Sequence, residues 1–156
     1  MKRLAFAAAL CLATGHAAAA DLHAHHAPAP DNRTVLKLSA DERAMLLEEM
    51  HLFLDGVGKI TDALARSDMA AVAATARPLG PQMAQTMPAS LRAKLPMEFR
   101  HIAGPLHADF GQIALDAETM KDVSHTLTQV STMLQKCATC HRTFQIQQVV
   151  DDHAGH

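Results

Sequence analysis

Apolar residues in the first half of the chain recur at alternating steps of four and three. Leu46, Met50, Phe53, Val57, Ile60 and Leu64 form one such stripe, with Leu47 and Leu54 beside it. That spacing is the helical period, so one long amphipathic helix is predicted to about Arg66. Ser39-Ala40-Asp41-Glu42 stands ahead of it as a capping box, the hydroxyl capping and the carboxylate reaching back. Gly56 and Gly58 weaken the helix locally and leave room for a neighbour to come close.

Ser67 and Asp68 restart the pattern, and Met69, Val72 and Ala76 predict a second, alanine-rich helix. Pro78, Gly80, Pro81, Pro88 and Pro96 punctuate the next stretch, so Leu79 to Leu95 reads mostly as connection. Phe99, Ile102, Leu106, Phe110 and Ile113 predict a third helix from Met97 to Ala117, kinked at Gly104-Pro105. The last helix, Thr119 to Gln148, carries the sharpest stripe: Leu127, Val130, Leu134, Cys137, His141 and Phe144. Four helices with one longer connection predict an all-α fold, an antiparallel four-helix bundle over residues 38–148.

Both ends break the period. Met1-Lys2-Arg3, an apolar run from Leu4 to Thr14 and alanines at 17–20 read as a signal peptide over residues 1–20. The run is too short to span a bilayer, and no later stretch is long enough. Cys11 would leave with the signal. Residues 21–37 read as a flexible leader containing His23, His25 and His26, and residues 149–156 as a flexible tail with His153 and His156. Export predicts a periplasmic protein.

Composition narrows the partners. Trp and Tyr are absent, which suits helix on helix better than a β-sandwich. The formal charge is −2, and losing Lys2 and Arg3 takes it to about −4. That balance argues against nucleic acid or an anionic membrane surface.

The chemistry concentrates at Cys137-Ala138-Thr139-Cys140-His141, which reads C-x-x-C-H. This is the pattern for covalent attachment of one c-type haem. Two thiols three residues apart lie on neighbouring faces of one turn and can bond two vinyl groups of one porphyrin, while the next residue presents an imidazole to iron. Three other readings compete. A thioredoxin-like pair expects a strand–helix setting, and nothing upstream reads as a strand. A zinc site needs further ligands at matching spacing, and the folded part supplies none. A structural disulfide would close too short a loop to gain much.

A C-x-x-C-H near the C-terminal end, on the fourth helix of a small signal-bearing α-helical chain, resembles the class II cytochromes c: cytochrome c′ and its low-spin relatives. The resemblance covers Leu38 to Gln148, and Phe144 stands where the family usually has an aromatic. It implies haem c bound through Cys137 and Cys140 with His141 as proximal ligand. The distal side is then covered by the first helix, with a methionine on iron or an apolar side chain that leaves it five-coordinate. The family often has a basic residue four places after the ligand histidine; here Gln145 occupies that place, with Arg142 displaced. Pairing into a homodimer through the first two helices is a further implication.

Three residues of the first helix compete for the distal position. Met50 lies on the apolar stripe, Met45 on its far side, and His51 about 100° from Met50. Met50 is the expected distal ligand and His51 its rival; core packing is the alternative role for Met50. A bis-histidine iron would have a lower potential than a His/Met one. His101, His107 and His125 read as ordinary helix histidines, with His107 the one placed to line the haem edge or bond a propionate.

The leading functional expectation is a periplasmic carrier of single electrons that meets redox partner proteins and is not an enzyme. A five-coordinate binder of NO or CO is the alternative. A third possibility is copper or nickel binding. Cleavage after Ala20 would give Asp21-Leu22-His23 a free amine, two amides and an imidazole, a square-planar nitrogen set suited to Cu(II) or Ni(II). A peroxidase would need a distal acid–base pair, and no such pair can be argued from the sequence.

Overall fold

Ser39 opens the first helix as its spacing requires. Its hydroxyl accepts from the Glu42 amide at 3.3 Å, and the Glu42 carboxylate accepts from the Ser39 amide at 3.0 Å. In the computed structural model, which describes residues 30–149, this box launches α1 (Ala40–Ala65). Next come α2 (Met69–Ala76), a 3-10 turn (Arg77–Leu79), α3 (Pro81–Ala84) and α4 (Ala89–Lys94). Two long helices complete the set, α5 (Met97–Thr119) and α6 (Val123–Thr143). Asp68 and Asp122 cap α2 and α6 through the amides of Ala71 and His125, each at 3.0 Å.

The reversals after α1 and α5 each turn on a left-handed residue that is not glycine, Ser67 at φ 56° and Lys121 at φ 53°. α5 runs unbroken through Gly104 and Pro105. The carbonyl that Pro105 leaves without its helix partner belongs to His101, itself an exposed residue.

The described residues are mostly helical, with one small sheet that the helical pattern did not predict. β1 (Thr34–Leu38) pairs in parallel with β2 (Phe144–Gln148), Thr34 opposite Phe144 and Leu38 opposite Gln148. Two expectations are corrected here. Residues 34–37 are strand rather than part of a flexible leader, and the last helix ends at Thr143 instead of running to Gln148. From Val35 on the strand alternates with period two, which buries Leu36 and Leu38 and exposes Val35 and Lys37, while Thr34 is exposed at the strand's start. Phe144 also fell on the helical stripe of α6, which hid the switch to period two after it.

The core has two separate clusters where one is usual. The first gathers Ile60, Leu64, Val72, Phe110, Ile113, Val130 and Met133 from α1, α2, α5 and α6. Gly56 belongs to its wall: an added Cβ would run into the Leu79 side chain, so α1 and the 3-10 turn approach at that bare position. The second cluster joins Leu36 and Leu38 of β1, Leu46, Leu91, Leu95 and Phe99 to Cys140 and Phe144. Packing is close between α2 and α5, between α5 and α6 and between α1 and α2, and sparse between α1 and α6. The space between the two clusters opens on that sparse side.

Candidate functional site

The last two turns of α6 bring the motif together. Residues three and one apart on a helix put Cys137, Cys140 and His141 within a sector of about 100°. Cys140 is buried, Cys137 half-buried and His141 exposed at the rim. The outer side of these turns is polar, with Thr139 and Thr143 donating back to the carbonyls of Gln135 and Thr139 at 2.8 Å each.

All three motif side chains line one apolar cavity of about 350 Å³ between α1, α5 and α6. Phe99, Ala103, Leu106 and Phe110 form its α5 wall, and Met133 and Leu134 continue the α6 wall. Across from the motif, α1 contributes Leu46, Met50, His51, Phe53 and Val57. Met50 and His51 therefore face the same space as His141, and Met45 is not among the lining residues. Met50 is half-buried and packs against the second core cluster, whereas His51 is exposed. A neighbouring cavity of about 200 Å³ shares Met50, Phe99, Cys140 and His141 and adds Arg33, Leu36, Phe144 and Ile146.

The helical stripe of α6 is used differently from its expected role. Of the predicted stripe Val130 and Phe144 are buried, whereas Leu127, Leu134 and His141 are exposed; Thr126, Met133 and Cys140 are buried beside Val130. The buried face is turned toward α5. The 134–141 flank meets an open cleft instead of another helix, which is why apolar residues there remain accessible.

Burial raises the pKa of both thiols; for Cys137 the Asp109 charge adds to it, and for Cys140 the neighbouring Cys137 does. Among the described residues no cluster of three or more His, Cys, Asp or Glu stands ready to hold a metal ion. The hydrocarbon lining and the thiol pair suit an apolar group held against α6, with Met50, His51 and His141 bordering the same space. The cavity lies within the usual range for a small-molecule site, about 300–1,000 Å³.

One polar pair beside the cavity is absent from any spacing rule. Glu49 lines the cavity, and its Oε1 lies 3.7 Å from His107 Nε2. His107 is buried, donates from Nδ1 to the Leu79 carbonyl at 3.0 Å, and meets the edge of Phe53 at 5.1 Å. Burial pulls its pKa down; Glu49 and the Leu79 carbonyl more than offset that, so the imidazole ends above its ordinary 6.5. His107 does not line the cavity that holds the thiols, contrary to the place expected for it at the haem edge. Glu49 sits one turn before Phe53 on the edge of the apolar stripe, and that edge position was the only signal it offered.

The remaining candidates lie elsewhere. His101 is exposed. His125 lies 3.0 Å from Asp116 Oδ2, a tie between α5 and α6 that Gln112 and Gln129 reinforce. The signal peptide, Cys11, the Asp21 and His23 arrangement, His25, His26, His153 and His156 lie outside the described residues. No helix among the described residues is long and apolar enough to cross a membrane. Comparison with protein-family models, with curated proteins and with solved structures found no match.

Proposed function

We propose that the chain is a class II c-type cytochrome, a periplasmic carrier of single electrons. Cys137 and Cys140 would bind haem c covalently, with His141 as its proximal ligand and Met50 as its distal ligand. α1, α2, α5 and α6 then serve as the four helices of an antiparallel bundle, with α3 and α4 in the long connection. The observation that carries this reading is that both thiols and His141 share one apolar cavity with Met50 and His51 of α1.

The haem would supply the one-electron chemistry. The chain's own residues supply the rest. Leu46, Phe99, Phe110 and Met133 keep water from the cavity wall, and the thioether of Met50 favours reduced iron over a second imidazole. Leu54, 70% exposed, and Leu134 lie where the cavity meets solvent. They offer an uncharged rim against which a redox partner can sit.

Expression with a haem-ligation system should give a protein whose haem stays with the polypeptide through denaturation and acid-acetone extraction. Release of the haem, or an intact mass equal to the bare chain, sinks the proposal. A low-spin oxidised spectrum supports Met50 or His51 on iron. A high-spin one with ready CO binding transfers the assignment to a five-coordinate binder of NO or CO. Copper or nickel binding by the mature N-terminus is a separate proposal: Cu(II) titration should give one tight equivalent that His23→Ala loses.

A further inference from the structure

The β1–β2 pairing brings Arg33 to the end of the motif helix, 108 positions away along the chain. Its Nη1 donates to the His141 carbonyl at 3.2 Å and reaches the Phe144 carbonyl at 3.5 Å, while the Gln145 side-chain amide approaches the Arg33 carbonyl at 3.5 Å. The last carbonyls of a helix have no partner within it and carry about half a negative charge between them. His141 sits on that terminus, and Arg33 lines the cavity of about 200 Å³ that also contains Met50, Cys140 and His141. A permanently charged, planar donor is thus fixed at the backbone of the imidazole-bearing residue and faces the same space as its side chain.

We propose that Arg33 is a positioning residue of the cofactor site, clamping the His141 turn of α6 and holding a positive charge beside the iron ligand. The proposal rests on the cytochrome reading and adds to it a residue from the N-terminal strand. Its two effects are separable. The clamp restrains the backbone of the last turn of α6, from which the His141 side chain departs. The charge opposes the extra positive charge of ferric iron and so favours the ferrous state. Among the described residues Arg33 is the one arginine or lysine lining either cavity that contains the motif.

The test compares Arg33→Gln, Arg33→Lys and Lys37→Gln as purified holoprotein. Lys37 is exposed on the same strand and serves as the charge control. Optical titration at fixed solution potential reads the Fe(II)/Fe(III) ratio, and proton resonances of the His141 ring read its orientation. Arg33→Gln should lower the ratio about threefold to tenfold, the range for a partly exposed unit charge across a cavity of this size. It should also shift the His141 resonances. Arg33→Lys should keep the ratio within about twofold, because the charge remains, yet still shift the resonances, because the shorter lysine stem does not carry its ammonium to the place where Nη1 meets the two carbonyls. Lys37→Gln should change neither. Wild-type ratio and resonances in Arg33→Gln overturn the proposal, as does an equal effect from Lys37→Gln, which would mean only diffuse surface charge. If Arg33→Gln does not fold, unchanged His141 resonances in Arg33→Lys overturn the clamp. A wild type without covalent haem overturns the cytochrome reading and this proposal together, whereas a haem-bearing protein indifferent to Arg33 overturns this proposal alone.

Discussion

Replacing Glu49 by Gln should destabilise the protein by an amount that shrinks as pH rises. His107 Nδ1 is committed to the Leu79 carbonyl, so Nε2, the nitrogen facing Glu49, is the one that gains and loses the proton. Its folded-state pKa is raised, so the pair's contribution is fully present below the ordinary 6.5 and is lost as pH climbs through the folded value. At 3.7 Å the contact is too long for a well-formed hydrogen bond, which leaves charge attraction as the part that titrates. Unit charges that far apart attract by about 4.5 kcal/mol at an effective dielectric of about 20, before desolvation of both groups opposes it. The net figure expected near pH 6 is about 1–2 kcal/mol. In a domain of this size that is a fall in Tm of about 4–8 °C. Thermal unfolding of wild type and Glu49→Gln between about pH 5.5 and 8.5 checks it, with the exposed neighbour Glu48→Gln as control. A penalty that stays flat across that window, or grows with pH, would refute the ion-pair account and leave Glu49 as plain packing.

Other expectations rest on single positions. Gly58 has open space where a Cβ would go, so Gly58→Ala should stabilise α1 by about 0.5–1 kcal/mol in urea unfolding. Gly56→Ala, which drives a methyl into Leu79 beneath the first cluster, should instead cost about 1–3 kcal/mol. In the haem-bearing protein, Met50→Ala should convert low-spin iron to high-spin and admit CO, while Met45→Ala leaves the spectrum unchanged; a spin change in His51→Ala alone would move the distal assignment to that imidazole. Hydrogen bonding from His125 holds the Asp116 carboxyl below its usual 3.8, so its support is present above that value and lost as pH falls through the folded one. The Tm gap between wild type and Asp116→Asn should therefore be seen at neutral pH and close in strong acid.

What the sequence determined by itself is what depends on near neighbours. The capping box at Ser39, the helical runs behind it and the C-x-x-C-H turn all rest on residues within a turn or two of each other, and backbone geometry converts such spacing directly into shared faces. The same locality made Phe144 misleading: three residues beyond His141 it satisfies a helical stripe, and only its pairing with Thr34 makes it the first residue of a strand. A parallel pair needs a partner far along the chain, and nothing near either strand identifies it. Tertiary structure alone decided the rest: that Cys137, Cys140 and His141 share a cavity with Met50 and His51, that Glu49 meets His107, and that Arg33 caps the end of α6. It also decided that the 134–141 flank of α6 faces a cleft rather than a helix. A periodic stripe tells that a face is apolar, but whether protein or something else meets that face depends on how far apart the helices come to rest.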